Sequence, residues 1–184
     1  MRLTHADGSD LKFSVKGRSV LKDVGFLTAE DLRNGCCGLN LPAGEAFISP
    51  LEKSAFGSVK FEKIYAPGHG FVTGLRLEFD AGRVVDYSAA KGGENFRKYL
   101  AENTESTRTI GELGIGCNAG AKYSGYILTD EKIAGTVHIA IGNNTGAFHG
   151  KNKASDHLDM VKDMKRGVLW VDGKAVLKNG RPVK

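Results

Sequence analysis

Apolar and polar positions alternate along this chain in short runs. In Leu11-Lys12-Phe13-Ser14-Val15-Lys16, and again in Val59-Lys60-Phe61-Glu62, every second side chain is apolar, which is the period of a half-buried strand. The run Val72-Thr73-Gly74-Leu75-Arg76-Leu77-Glu78-Phe79, then Asp80-Ala81-Gly82 and Arg83-Val84-Val85-Asp86-Tyr87, predicts two strands joined by a Gly-containing turn. Val168-Leu169-Trp170-Val171, Asp172-Gly173 and Lys174-Ala175-Val176-Leu177 predict a second hairpin. A helical period is clear over residues 94–101, where Phe96, Tyr99 and Leu100 share one face. Turn clusters stand at Ala66-Pro67-Gly68-His69-Gly70 and Gly142-Asn143-Asn144-Thr145-Gly146. Together these elements predict an α+β fold, a mostly antiparallel, barrel-like β-sheet capped by one or two helices, in a single domain over residues 1–184.

Composition narrows the function classes. Glycine supplies 25 of 184 residues, a bias that suits tight turns and close approach of backbone to a ligand. The net charge is +5, but 21 acidic residues are mixed among 26 basic ones. Part of the excess sits in Lys174, Lys178, Arg181 and Lys184, read as a solvated basic tail because no aromatic-basic stripe accompanies it; nucleic acid is not an expected partner. No apolar run approaches the roughly 20 residues of a membrane span, and the N-terminal residues lack the apolar stretch of a secretory signal. A cytoplasmic protein without a membrane partner is the expectation. Cys36, Cys37 and Cys117 form no disulfide framework and have no zinc-ligand spacing. Adjacent Cys36 and Cys37 cannot readily close an unstrained bond with each other and are expected as buried thiols.

Four segments carry candidate chemistry. Strand alternation in Thr136-Val137-His138-Ile139-Ala140-Ile141-Gly142 sends Val137, Ile139 and Ile141 to one face and His138, Ala140 and Gly142 to the other. The imidazole therefore points toward small neighbours, which fits either a hydrogen-bonded core histidine or a ligand. In His157-Leu158-Asp159 the two polar side chains project on the same side, an imidazole and a carboxylate suited to zinc, cobalt, manganese or ferrous iron. Glu45 follows the turn Leu41-Pro42-Ala43-Gly44 and opens the strand-like Ala46-Phe47-Ile48-Ser49, while Glu112 lies among apolar and glycine residues in Thr109-Ile110-Gly111-Glu112-Leu113-Gly114-Ile115-Gly116. Each glutamate fits a turn-capping or paired role as well as a functional one. His5, His69 and His149 are expected as solvated rings, Lys122, Tyr123 and Tyr126 as ordinary packing, and residues 142–146 as a connecting turn rather than a mobile lid.

In order along the chain, Asn40-Leu41-Pro42-Ala43-Gly44-Glu45-Ala46-Phe47, Ile110-Gly111-Glu112-Leu113-Gly114-Ile115-Gly116, Thr136-Val137-His138-Ile139-Ala140-Ile141-Gly142 and His157-Leu158-Asp159 resemble the catalytic domain of the thermophilic metallo-aminopeptidases, the aminopeptidase T family. The resemblance covers nearly the whole chain. It implies a hydrolase acting on peptides with two divalent ions (zinc, cobalt or manganese) held by Glu45, Glu112, His138, His157 and Asp159, with Glu45 or Glu112 as a possible general base. Thr145 stands where the family usually has a tyrosine. Members also carry an N-terminal α/β domain, and Met1 falls close to the expected start of the domain that follows it.

Elementary electrostatics gives an independent reason for metal if these residues meet. Three carboxylates a few ångströms apart repel by roughly 4 kcal/mol per close pair at an effective dielectric near 20, a large fraction of a domain stability of about 5–15 kcal/mol. The rival reading uses only His138, His157 and Asp159, a two-histidine, one-carboxylate set that holds a single Fe(II). Ring-cleaving dioxygenases of the 2,5-dihydroxypyridine type resemble the same family. Retention of both Glu45 and Glu112 favours two metals. A third reading is a non-catalytic metal-binding assembly module, and in either case self-association into a homo-oligomer is expected to cover apolar surface.

Overall fold

A computed structural model describes residues 1–33 and 39–183; the Cys36-Cys37 pair and Lys184 lie outside the described residues. The first half runs β1 (Arg2–His5), β2 (Asp10–Lys12), β3 (Leu21–Asp23), the single-turn α1 (Ala29–Arg33), β4 (Glu45–Ile48), β5 (Phe56–Ala66), β6 (Gly70–Asp80) and β7 (Arg83–Ser88). The second half runs α2 (Gly93–Glu102), β8 (Ile110–Gly116), the short α3 (Ile127–Asp130), β9 (Thr136–Gly142), β10 (His157–Asp163), β11 (Gly167–Val171), β12 (Lys174–Lys178) and β13 (Arg181–Pro182).

Among the described residues the strands form two antiparallel sheets. One has eight strands in the order β13-β12-β11-β1-β2-β5-β6-β7, and the other five in the order β10-β9-β8-β4-β3. The α+β, mostly antiparallel expectation holds, with α2 as the main helix. The barrel-like expectation does not, because both sheets are open. The edge strand β10 lies against β5, in the interior of the larger sheet, instead of pairing with that sheet's edges β7 or β13. Leu3, Leu11, Phe61, Leu75 and Leu77 from the larger sheet join Leu113, Ile139, Ile141 and Met160 from the smaller one in a shared core. No helix among the described residues is long and apolar enough to cross a membrane.

The two hairpins read from the sequence form as expected. Their tips, Ala81-Gly82 and Asp172-Gly173, have positive φ at both positions, the turn geometry that matches strand twist. Helix α2 buries Phe96, Tyr99 and Leu100, and the Tyr99 hydroxyl donates to Asp156 Oδ2 at 2.9 Å. Through that bond the helix steadies the chain just ahead of β10. The alternating run at residues 11–16 stays strand only to Lys12; Phe13 remains buried, but its N–H bonds the Met1 carbonyl in place of a ladder partner.

Several side-chain expectations are corrected. Tyr123 and Tyr126 are exposed instead of packed. The His5 and His69 rings are largely covered, because each finds a carboxylate, Asp7 at 3.0 Å and Glu102 at 2.9 Å. His149 is exposed as expected, and so are Lys174, Lys178 and Arg181 of the basic tail. Lys162 on β10 is fully buried; its ammonium donates to Asp7 Oδ2 and to the Lys60 carbonyl, both at 2.6 Å, tying the smaller sheet to the larger.

Candidate metal centre

Period and register together put the candidate residues on one face of the five-stranded sheet. Asp23 pairs with Glu45, Glu45 with Gly116, Gly114 with His138, and Glu112 with Ala140. On the last strand, Asp159 stands opposite Ala140 and His157 opposite Gly142. Paired residues and their i±2 neighbours share a face. This face therefore carries Asp23, Glu45, Glu112, His138, His157 and Asp159, over a floor of Gly114, Gly116, Ala140 and Gly142. The other face presents Leu113, Val137, Ile139, Ile141, Leu158 and Met160 to the core. Without that apolar face the sheet would have nothing to pack on; without the small floor the polar heads would have no room.

All five side chains singled out from sequence converge. Glu112 lies between the two imidazoles, with Oε1 3.0 Å from His138 Nε2 and Oε2 3.4 Å from His157 Nε2. Glu45 Oε2 is 3.5 Å from His138 Nε2, and Asp159 Oδ1 is 3.2 Å from His157 Nε2. Two three-donor groups result, Glu45–Glu112–His138 and Glu112–His157–Asp159, each with donor atoms within 4.8 Å of one another. Access is one-sided: the side chains of Glu45, Glu112 and His138 are 8%, 4% and 1% exposed, whereas His157 and Asp159 are 17% and 16% exposed.

Sequence reasoning missed part of the cluster. Glu131 and Lys132 fall in Asp130-Glu131-Lys132, a charged run of the kind that is normally solvated, yet both are buried. The segment folds back because the Asn118 N–H bonds the Lys132 carbonyl and the Ala134 N–H bonds the Asn118 carbonyl. Lys132 Nζ then donates to Glu45 Oε1 and Glu131 Oε1, both at 2.6 Å, and to Asn40 Oδ1 at 3.1 Å, with Asp23 Oδ2 at 3.8 Å. Glu131 forms a third donor group with His138 and Asp159. The available signal was position, a lysine and two acids immediately before the strand that bears His138.

The electrostatics follow from burial and crowding. Desolvation pushes the Glu45 carboxyl up, against the pull of His138 and Lys132. Burial, then repulsion from Asp159, pushes Glu131 up to about 7. For the histidines, burial works against charge, but hydrogen bonds to carboxylates win: Glu112 chiefly holds His138 at about 9, and Asp159 with Glu112 holds His157 at about 11. Burial also opposes the Asp159 charge, and His157, His138 and Lys132 together keep it below the usual carboxylate range. Lys132 is raised in the same way, burial being outweighed by Glu131 and Glu45.

Surrounding groups aim the donors. A carbonyl can only accept, so His157 Nδ1 donates to the Asn143 carbonyl at 2.6 Å, leaving Nε2 directed at Glu112 and Asp159. Phe148 stacks on the His157 ring with centroids 4.4 Å apart. Residues 142–146 are a connecting turn, as expected, and part of a bonded strap: Asn143 N–H bonds the Asp156 carbonyl, Asn144 N–H the Asn152 carbonyl, and Asn152 Nδ2 the Gly142 carbonyl. Thr145 donates to Asn143 Oδ1 within this strap. Gly114 leaves the space His138 occupies, since a Cβ there would lie 1.9 Å from Nε2. Gly114→Ala is expected to displace the imidazole and cost roughly 1–3 kcal/mol of overpacking strain, read as a lower melting temperature in chelator together with weaker binding of divalent ions.

The residues fit divalent metal. Glu45 Oε2 is buried without a hydrogen-bond partner and lies 3.5 Å from His138 Nε2, so in the metal-free protein the protonated imidazole is its counter-charge, a place that a divalent ion would take on expelling the proton. The donors are nitrogen and oxygen only, suited to borderline ions such as zinc, cobalt or manganese. Cys117 is exposed and belongs to none of the three donor groups.

Comparison with known proteins agrees in fold and family. Aminopeptidase AmpS of Bacillus subtilis (strain 168) is 26% identical over 200 residues, covering 95% of this chain and 47% of the relative. Aminopeptidase T of Thermus thermophilus is 34% identical over 79 residues, 43% of this chain and 19% of the relative. The solved structure of wild-type AmpT from Thermus thermophilus superposes with a TM-score of 0.77 at 24% identity, covering 100% of this chain and 49% of that one. A 2,5-dihydroxypyridine dioxygenase from Pseudomonas putida KT2440 also superposes at 0.77, with 20% identity, covering 99% of this chain and 54% of that one. The chain thus spans about half the length of the full-length relative matched over most of it. The thermophilic metalloprotease family M29 matches residues 1–181, and the chain belongs to that family.

Proposed function

We propose that this chain forms the metal-binding part of an aminopeptidase, in which Glu45–Glu112–His138 and Glu112–His157–Asp159 would hold two divalent ions. The observation that carries the reading is the shared carboxylate: Glu112 belongs to both donor groups, with Oε1 3.0 Å from His138 Nε2 and Oε2 3.4 Å from His157 Nε2. A mononuclear centre of His138, His157 and Asp159 would need neither this bridge nor the unpartnered Glu45 oxygen.

In the bound state the ions would supply Lewis acidity, lowering the pKa of a water nucleophile and stabilising negative charge on the scissile carbonyl oxygen. The chain's own groups do the remaining work. His157 is held to a single orientation by the Asn143 carbonyl and by Phe148, so its Nε2 stays aimed at the centre. Glu131 belongs to neither of the two groups that share Glu112, and its raised carboxyl is suited to take a proton at one oxygen and return it to the leaving amine. A free α-amino group would be held at one ion or at a nearby carboxylate, which favours a peptide N-terminus over an internal bond. Approach is from the His157 and Asp159 side, where the cluster is least covered.

The test is reconstitution. Chelated protein titrated with zinc, cobalt or manganese is expected to take up two ions per chain and to release p-nitroaniline from aminoacyl p-nitroanilides, with activity lost again in chelator. One iron per chain, with oxygen consumption on 2,5-dihydroxypyridine and no anilide hydrolysis, would replace this reading by the dioxygenase. Two bound ions with neither activity would leave an assembly module.

A further inference from the structure

Lys132 is the one group in the cluster whose charge cannot be exchanged for a metal ion, and its surroundings are fully specified. The residue has no exposed surface. An ammonium has three protons, and all three are taken, by Glu45 Oε1, Glu131 Oε1 and Asn40 Oδ1. Glu45 is thereby left with one oxygen, Oε2, which is buried, has no hydrogen-bond partner and pairs only at 3.5 Å with His138 Nε2. Among the residues of the other three-donor group, Glu112, His157 and Asp159, none has a hydrogen bond or ion pair with the ammonium.

From this we infer that Lys132 is a positioning residue for one metal position only: it fixes Glu45 as a single-oxygen ligand, while Glu131, which it also holds, stands outside both groups that share Glu112. The inference rests on the two-ion reading. Binding at Glu45–Glu112–His138 then depends on Lys132 through a direct hydrogen bond to a ligand, whereas at Glu112–His157–Asp159 the ammonium acts only at a distance, through its charge on Asp159. Charge balance points the same way. Five carboxylates gather here (Asp23, Glu45, Glu112, Glu131 and Asp159), and one ammonium with two divalent cations neutralises them. A neutral residue at position 132 leaves Glu45 and Glu131 facing each other without a counter-charge and frees Glu45 to turn.

Lys132→Met keeps an unbranched stem as far as the ε position and removes the ammonium. Equilibrium dialysis with Mn2+, and the visible spectrum of the Co2+ form, count the ions in each protein. Wild type is expected to bind two. Lys132→Met is expected to keep one at close to wild-type affinity and to bind the second about 10–100-fold more weakly, the usual effect of losing a group that orients a ligand. Glu131→Gln, which leaves Lys132 on Glu45, is expected to keep both ions within about threefold, well short of that loss. The inference is overturned if Lys132→Met binds both ions as wild type does, if both weaken alike, or if Glu131→Gln loses an ion. The last result decides against it even where Lys132→Met does not fold. Wild-type protein binding a single ion would instead overturn the two-ion reading and this inference with it.

Discussion

If the chain is the two-ion aminopeptidase proposed above, Glu112→Gln is expected to reduce its activity by at least about a thousandfold, well beyond the loss of a merely orienting group, and to lower metal uptake below two ions per chain. The amide keeps the size of the side chain but replaces one oxygen by an NH2 group that donates hydrogen bonds and cannot ligate. Since Oε1 serves the His138 side and Oε2 the His157 side, either orientation of the amide spoils one position. Groups that merely orient a ligand cost about 10–100-fold when lost, so loss of a ligand common to both positions falls well beyond that range. Asp159→Asn, confined to one group, is expected to leave the Glu45 side loaded. The distinguishing measurement is activity and ion count beside a melting curve in chelator. Glu112 is also the chief hydrogen-bond partner of buried His138, so Glu112→Gln is expected to melt lower than the parent in chelator at neutral pH; activity and ion count are therefore compared well below that melting temperature, where a folded variant that keeps both ions would contradict the assignment.

Local alternation made much of the candidate site legible in the sequence because most of its residues lie on regular strands. Once Thr136–Gly142 and His157–Asp163 are strands, the faces of His138, His157 and Asp159 follow from a period of two. Glu45 was readable as the start of a strand-like segment, the later β4, whereas Glu112 stood out only by its apolar and glycine flanks, and the strand that carries it, β8, was not read from the sequence. Register was not readable, since nothing local says that Gly114 will lie under His138 or that Glu112 will align with Ala140 and Asp159. Closure was misjudged for a related reason. Whether a sheet closes depends on what its edge strands meet, and β10 meets the middle of the larger sheet. Lys132 escaped notice because a charged run in a short connection is ordinarily solvated; its burial is produced by backbone bonds to Asn118, far away along the chain. His5 and His69 were misread on the same ground, each being covered through a carboxylate partner that a loop composition does not announce.

In the absence of metal, stability is expected to fall steadily as pH rises from about 5 to about 9, and added Mn2+ or Zn2+ is expected to reverse the slope. His138 and His157 have folded values of about 9 and about 11, above the ordinary imidazole value near 6.5. Their protonated forms therefore favour the fold fully below about pH 6.5, and that contribution is lost as pH climbs, first through the His138 value and then toward that of His157. Glu131, raised to about 7, acts in the same direction, because its neutral form is favoured in the fold and ionisation on the way to pH 7 costs stability. Asp159, held low, opposes only at the acid end, where its contribution disappears as pH drops through its folded value. Each tenfold change in proton affinity is worth about 1.4 kcal/mol, so the two imidazoles carry several kcal/mol against a domain total of roughly 5–15. Divalent ions require those same nitrogens without protons, so binding expels protons and strengthens with pH. Melting temperatures across this range, in chelator and in excess metal, should therefore converge at acid pH and separate widely at alkaline pH. Parallel curves would mean that His138 and His157 do not exchange protons for metal, and the centre would lose its physical basis.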